Sequence, residues 1–179
     1  MSIIIFSRPV RSGKTTELLK WCRLQQDVSG ILMPDINGLR KIMNIKTGDV
    51  FDAECLEPEK ADEELLQVGR FSFYSSAFKK ANEILLENIS HSPSWLVIDE
   101  VGKLELVKKG LFPSVESAVN QYQFTSGKKA ILVIRDTLVE SAISFFNIKE
   151  YKLIHDLFQQ SRRNNSAQEE QNRLGGGNQ

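Results

Sequence analysis

Short runs of consecutive apolar residues are spread along the chain, with polar segments between them. Runs of this kind, rich in β-branched side chains, are typical of strands buried on both faces inside a parallel sheet. They predict strands at residues 3–6, 30–33, 95–98 and 130–134, and a further short strand at residues 151–154. The pattern therefore favours a central sheet whose strands are mostly parallel.

Segments with apolar residues at helical spacing separate these strands. Residues 76–89 show the spacing most clearly, since Phe78, Ala81, Leu85 and Ile89 fall on one face of an amphipathic helix. Helices are also predicted at residues 15–26, 114–122 and 138–146. Strands that alternate with helices predict a doubly wound α/β fold, a mostly parallel sheet flanked by helices.

The middle of the chain has a different pattern. Two short strands, at residues 40–45 and 50–55, flank a turn that contains a glycine. This predicts a β-hairpin, which we expect to be an insertion in the α/β core. A polar surface loop is predicted at residues 57–64 and a short strand at residues 70–73.

The end of the chain is polar. Residues 159–179 are rich in Asn, Gln, Ser, Arg and Gly and almost free of apolar side chains. Such a segment cannot bury enough apolar surface to order itself, so it predicts a disordered tail. Residues 1–158 are then expected to form one domain, a length that is sufficient for a sizeable core.

Composition and charge narrow the classes of protein. The 23 Lys and Arg residues balance the 23 Asp and Glu residues, so the net charge gives no reason to expect a nucleic-acid or membrane partner. No run approaches the roughly 18 apolar residues of a membrane span, and the first apolar run is too short for a signal peptide. Cys22 and Cys55 stand alone, without a zinc or disulfide pattern. We therefore expect a cytoplasmic protein with reduced thiols.

A phosphate-binding loop is predicted between the first strand and the first helix. Gly13-Lys14-Thr15 is the GK[ST] end of a P-loop, in the required context of buried strand, loop and helix start. Backbone N–H groups and the helix N-terminus would bind phosphate oxygens, Lys14 would reach the β- and γ-phosphates, and Thr15 would ligate Mg²⁺. The predicted nucleotide-binding residues are Arg8, Pro9, Val10, Arg11, Ser12, Gly13, Lys14, Thr15 and Thr16. The alternative is an ordinary turn, because three-residue matches are common by chance.

Two carboxylates follow the apolar run at residues 95–98, which is the Walker B arrangement. Ligands of open α/β sheets bind at the carboxyl ends of the strands, where the predicted loop also lies. We expect Asp99 to hold Mg²⁺ together with Thr15, and Glu100 to act as a general base toward an attacking water. The alternative is a pair of solvated carboxylates that begin a loop.

The sequence around these carboxylates resembles a known family. Residues 99–106, DEVGKLEL, resemble the D-E-hydrophobic-G-K-hydrophobic-E-L signature of the cancer-related nucleoside-triphosphatase family, and residues 68–71, VGRF, are similar to its V-G-x-aromatic segment. The resemblance covers residues 1–157 and includes the hairpin. It implies a RecA-like sheet, Mg²⁺ dependence and slow hydrolysis of several nucleoside triphosphates, ATP and GTP alike.

The predicted loop departs from the family pattern, which reads G-x-x-G-x-G-K-T. Arg8 and Arg11 stand where the first two glycines would be. A non-glycine residue held at positive φ costs about 1 kcal/mol or more, so the loop is either shaped differently or strained. Arginine stabilises charge on a transferring phosphoryl group, and we predict that Arg11 contributes to catalysis with Lys14 and Glu100. The alternative is that both arginines point to solvent.

Three further polar residues are ambiguous. Lys103 and Glu105 follow the Walker B strand, and they either contact the nucleotide or pair with each other. Arg135 ends the strand at residues 130–134, where it either senses the γ-phosphate or pairs with a neighbouring carboxylate, Asp136 or Glu140. These residues are left without an assigned role.

The leading functional hypothesis is a P-loop enzyme that hydrolyses Mg-NTP to NDP and phosphate. A P-loop kinase acting on a small molecule is the first alternative, although residues 137–146 lack the arginines typical of a kinase lid and Glu100 suits water activation. A non-catalytic nucleotide-binding module is the second alternative, because the loop lacks two glycines. All three bind a nucleoside triphosphate.

Overall fold

The parallel half of the fold is built as the apolar runs predict. A computed structural model describes residues 2–9 and 12–158 of the chain. Its strands are β1 (Ile3–Arg8), β2 (Val28–Leu32), β3 (Asp35–Ile36), β4 (Leu39–Asn44), β5 (Val50–Asp52), β6 (Glu54–Cys55), β7 (Leu65–Val68), β8 (Phe71–Tyr74), β9 (Trp95–Val101), β10 (Lys129–Arg135) and β11 (Tyr151–Ile154). Its helices are α1 (Lys14–Cys22), α2 (Ser75–His91), α3 (Phe112–Tyr122) and α4 (Val139–Phe145).

The central sheet has the strand order β11-β1-β10-β9-β2-β4-β3, and β5 pairs with β4. The strands from β11 to β2 are parallel, whereas β4 is antiparallel to β2. Strand β10 thus lies between the strand that leads into the predicted P-loop and the strand that carries the two carboxylates.

Two apolar cores lie on opposite faces of this sheet. Leu18, Trp21 and Cys22 of α1 pack with buried residues of one face, and helices α2, α3 and α4 pack on the other face. Burial of both faces accounts for the unbroken apolar runs in the parallel strands, since no position along them points to water. The predicted doubly wound α/β sheet is confirmed.

The antiparallel half differs from the prediction. The hairpin of β4 and β5 forms, but β4 pairs with β2 and so extends the central sheet. The chain changes sheets at the buried Ala53, whose N–H donates to the carbonyl of Arg40 and whose carbonyl accepts from the N–H of Tyr74. Beyond it, β6, β8 and β7 form a second sheet. Strands β3 and β7 were not predicted.

Close contact between β2 and β9 requires a glycine. Gly30 has a φ of 124°, and a Cβ at this position would lie 2.0 Å from the carbonyl oxygen of Val97. A substituted side chain would therefore collide with the backbone of β9. The close approach keeps the end of β2 against the end of β9, where Asp99 lies.

The remaining differences between the predicted and the observed elements lie at the ends of helices and strands. Helix α1 ends at Cys22, earlier than the predicted residue 26, and strand β9 runs through Asp99 and Glu100 to Val101. No helix among residues 2–9 and 12–158 is long and apolar enough to cross a membrane. The predicted tail at residues 159–179 lies outside the described residues.

Candidate active site

A cleft of about 580 Å³ opens at the carboxyl ends of the parallel strands. Residues 12–16 line one side of it, and Glu100 and Arg135 line its floor. The opposite side is formed by the antiparallel half of the fold, and it includes the carboxylates Asp35 and Glu54 as well as Arg40, Arg70 and Phe71. The volume lies within the usual range for small-ligand sites.

The loop between β1 and α1 ends as a P-loop does. Gly13 adopts a left-handed conformation with a φ of 80°, and α1 begins at the next residue. Ser12 and Gly13 are exposed and line the cleft. The first N–H groups of a helix lack intrahelical partners and carry partial positive charge, so this end of α1 is suited to an anion. Val10 and Arg11 lie outside the described residues.

Lys14 is folded back across the loop. Its ammonium donates hydrogen bonds to the carbonyl oxygens of Arg8 at 2.9 Å and of Pro9 at 3.0 Å. These bonds hold the buried side chain at the mouth of the loop. An ammonium has three N–H donors, so one remains for an anion in the cleft.

A hydrogen bond joins the P-loop to the Walker B strand. The hydroxyl of Thr15 donates to Oδ2 of Asp99 at 2.8 Å, and the N–H of Met33 donates to the same oxygen at 3.2 Å. Asp99 is 1% exposed. Burial raises the pKa of its carboxyl to about 6, although the bond from Thr15 opposes that shift.

The pair of Thr15 and Asp99 fits a magnesium site. Both offer oxygen ligands at the start of α1, and a divalent cation would favour the charged form of the buried carboxyl. Within the described parts of the chain, no group of three or more His, Cys, Asp or Glu residues could hold a metal. Magnesium in nucleotide sites is commonly held by only one or two protein groups together with phosphates and water, which is the donor set present.

Glu100 forms an ion pair with Arg135. Nε of Arg135 donates to Oε1 of Glu100 at 2.5 Å. Arg135 therefore pairs with a carboxylate that was not considered, rather than with Asp136 or Glu140. Both side chains line the cleft.

The side chain of Arg8 turns away from the cleft. Its guanidinium pairs with Glu17 of α1 and lies over the ring of Phe6. The other carboxylate oxygen of Glu17 accepts from the N–H of Leu157 at 2.8 Å. Arg8 ends strand β1 in register with Arg135, so the strain expected of a non-glycine at positive φ does not arise there.

Lys103 and Glu105 do not pair with each other. The buried Glu105 accepts from the N–H of Gly102 at 2.7 Å and from the N–H of Leu111 at 2.8 Å, and burial raises its pKa. It therefore fixes the loop after β9. Lys103 is exposed beside a small cavity of about 70 Å³ that adjoins Glu100.

Sequence reasoning missed the wall opposite the P-loop. Arg70 lies in the turn between β7 and β8, and Phe71 begins β8. The Arg70 guanidinium lies 5.0 Å from the centre of the Phe71 ring. Arg40 lies on β4. The available signals were the VGRF segment, which matched the family pattern, and the strand predicted at residues 70–73, which forms as β8 but was not linked to the cleft.

The fold and the cleft together define a nucleotide-binding protein of the P-loop type. A protein-family model described as NTPase matches residues 3–168, and since this is most of the chain, the protein belongs to this NTPase family. The resemblance seen in residues 99–106 is confirmed at that level. No curated protein matches the sequence.

One solved structure supports the fold assignment. The chain is similar to the crystal structure of THEP1 from the hyperthermophile Aquifex aeolicus, with a TM-score of 0.65 and 20% sequence identity. The similarity covers 86% of this chain and 88% of that chain. At this identity it shows the same fold, an α/β sheet of mostly parallel strands flanked by helices.

Proposed function

We propose that the protein is a Mg²⁺-dependent nucleoside triphosphatase that hydrolyses ATP or GTP to the diphosphate and phosphate. The observation that carries the proposal is the hydrogen bond between Thr15 and Asp99, which joins the P-loop to a strand end whose next residue, Glu100, lines the same cleft. Binding groups and a candidate base thus lie on two sides of one space.

In the binding step, the nucleotide phosphates would contact the loop and the start of α1. The N–H groups from Ser12 to Thr16 would donate to the β- and γ-phosphates, and the Lys14 ammonium would donate its third N–H to a phosphate oxygen. Thr15 and Asp99 would hold Mg²⁺, which neutralises charge on those oxygens. Arg11 is proposed to assist this neutralisation from the loop.

The chemical step needs a water and a proton acceptor. A water oxygen attacks the γ-phosphorus, the bond to the β–γ bridging oxygen breaks, and the nucleoside diphosphate leaves. Glu100 accepts the proton that the water loses, a contribution that is typically about 10²–10⁴-fold in rate. The cavity of about 70 Å³ beside Glu100 can hold water.

A small-molecule kinase is the second candidate. The observation in its favour is the opposite wall of the cleft, which Arg40 and Arg70 line. Arginine is the side chain best suited to the anionic groups of an acceptor. In this reading Glu100 accepts a proton from an acceptor hydroxyl.

Phosphate release separates the candidates. Purified protein is given ATP or GTP with Mg²⁺, with and without nucleosides and nucleoside monophosphates as acceptors, and with EDTA as the metal-free control. A hydrolase releases phosphate without an acceptor and stops in EDTA. Phosphate found only on an acceptor would establish the kinase. Nucleotide binding without either product would leave only a binding module.

A further inference from the structure

Strand β9 is irregular where it carries its two carboxylates. Ile98 pairs with Leu132 of β10, and Val101 pairs with Ile134, so β9 has one residue more than β10 over this stretch. An extra residue re-aims the side chains of a bulged strand. Here Asp99 reaches Thr15, while Glu100 faces Arg135 and lines the cleft.

Arg135 is placed to fix the orientation of Glu100. It ends β10, which lies between β1 and β9, and its Nε–H donates to Oε1 of Glu100 at 2.5 Å. The Glu100 side chain is 18% exposed and that of Arg135 35% exposed. The pair is therefore shielded enough to hold its geometry and open enough to meet a ligand.

The pairing engages only one oxygen of Glu100. Across residues 2–9 and 12–158 no group donates a hydrogen bond to Oε2. Among the described residues, the ion pair of Arg135 is with Glu100 and not with the neighbouring carboxylates Asp136 and Glu140. One oxygen is thus anchored and the other is available to water in the cleft.

We propose that Arg135 is a positioning residue that anchors Glu100 so that its second oxygen faces the attacking water. The inference rests on the proposed hydrolytic function. A general base must lie within about 2.6–3.2 Å of the proton donor, and a misplacement of about 1 Å can cost roughly 100-fold in rate. A glutamate side chain with no anchor would sample several rotamers at the cleft.

The test compares single-turnover phosphate release by wild type, Arg135→Ala, Arg135→Lys, Glu100→Gln and the double variant Arg135→Ala/Glu100→Gln. Each is measured at saturating Mg-ATP, with the affinity for a non-hydrolysable ATP analogue and the thermal unfolding temperature in parallel. Lys41→Ala is the matched control, because it breaks a cross-strand ion pair with Asp52 of 2.6 Å that lies outside the cleft lining.

Arg135→Ala is expected to release phosphate roughly 10–100-fold more slowly, with nearly unchanged affinity. Arg135→Lys should recover part of the rate, since an ammonium can still bind Oε1. The double variant should be no slower than Glu100→Gln, because Arg135 acts through Glu100. The control should behave as wild type.

Three outcomes would overturn the inference while leaving hydrolysis intact. One is a wild-type rate for Arg135→Ala, and another is a double variant slowed by the product of the two single effects. The third is a Glu100→Gln variant as fast as wild type, because Arg135 would then have no base to position. If Arg135→Ala does not fold, the test rests on Arg135→Lys alone. An Arg135→Lys variant with a wild-type rate of phosphate release and a weakened affinity for the ATP analogue would contradict a positioning role. A wild-type protein that releases no phosphate would remove the proposed function and this inference together.

Discussion

The two sides of the cleft come from halves of the fold that are built differently. The parallel half supplies Lys14, Thr15, Asp99 and Glu100, and each of these side chains is held by a hydrogen bond to the protein. The antiparallel half supplies the opposite wall, where Arg40 and Arg70 form no ion pair with any of the described residues. One side is fixed before a ligand arrives, and the other is free to respond to one.

This difference separates two kinds of role. Fixed groups that surround one point are suited to chemistry, because they need little reorganisation as charge develops. Arginines without an ion-pair partner keep their donors available for whatever part of a ligand lies outside the P-loop. We therefore expect substitutions in the parallel half to affect binding of the triphosphate and the rate, and substitutions in the opposite wall to affect selectivity.

The largest effect on affinity is expected for Lys14→Ala. Loss of a hydrogen-bonded charge partner costs about 2–5 kcal/mol, which corresponds to an affinity lower by roughly 30-fold to several thousand-fold. Arg70→Ala is the matched substitution in the opposite wall and should weaken triphosphate binding by less than about tenfold. Calorimetric titration with a non-hydrolysable triphosphate measures the affinity of both variants. Equal losses of affinity would contradict the difference in role between the two sides of the cleft.

A smaller effect is expected on the stability of the metal-free protein. Burial raises the pKa of Asp99 from 3.8 to about 6, which means that the folded protein favours the neutral carboxyl. The stability that the neutral carboxyl contributes is fully present below about pH 4 and is lost as the pH rises through 6. Asn cannot ionise but can accept the bonds from Thr15 and Met33. Asp99→Asn should therefore gain thermal stability relative to wild type, by a few degrees, between pH 4 and pH 7.

Thermal unfolding of both proteins in EDTA across that pH range measures the difference. A difference between the two unfolding temperatures that stays constant with pH would mean that ionisation of the buried Asp99 carboxyl does not destabilise the protein. The same experiment on Asp35→Asn, an exposed carboxylate at the cleft edge, controls for loss of a charge.

Much of the parallel half could be predicted from the sequence. Apart from the edge strand β11, its strands are largely continuous apolar runs buried on both faces. Its ligand groups follow or end those runs, so position along the chain indicates position at the sheet edge. The family match and the fold similarity agree with that prediction. The side-chain contacts of residues 8–16 could not be predicted in this way. Arg8, for example, pairs with Glu17 through a side-chain orientation that no spacing rule specifies.

The antiparallel half could not be predicted in the same way. Strands β3 and β7 are short and partly exposed, so they lack an apolar run, although each pairs with the next strand across a two-residue turn. The contact between Glu100 and Arg135 spans 35 residues and exists because β10 is inserted between β1 and β9. Periodicity reports which face of an element is buried, but it does not report which strands become neighbours.

Single-turnover release of phosphate from Mg-ATP by wild type and Glu100→Gln tests the central claim most directly. Gln keeps the shape of the side chain and cannot accept the proton, while Lys14, Thr15 and Asp99 remain to bind the nucleotide. The account predicts a rate lower by about 10²–10⁴-fold at nearly unchanged affinity for the ATP analogue. A Glu100→Gln protein that hydrolyses ATP at the wild-type rate would contradict the proposal that Glu100 is the general base.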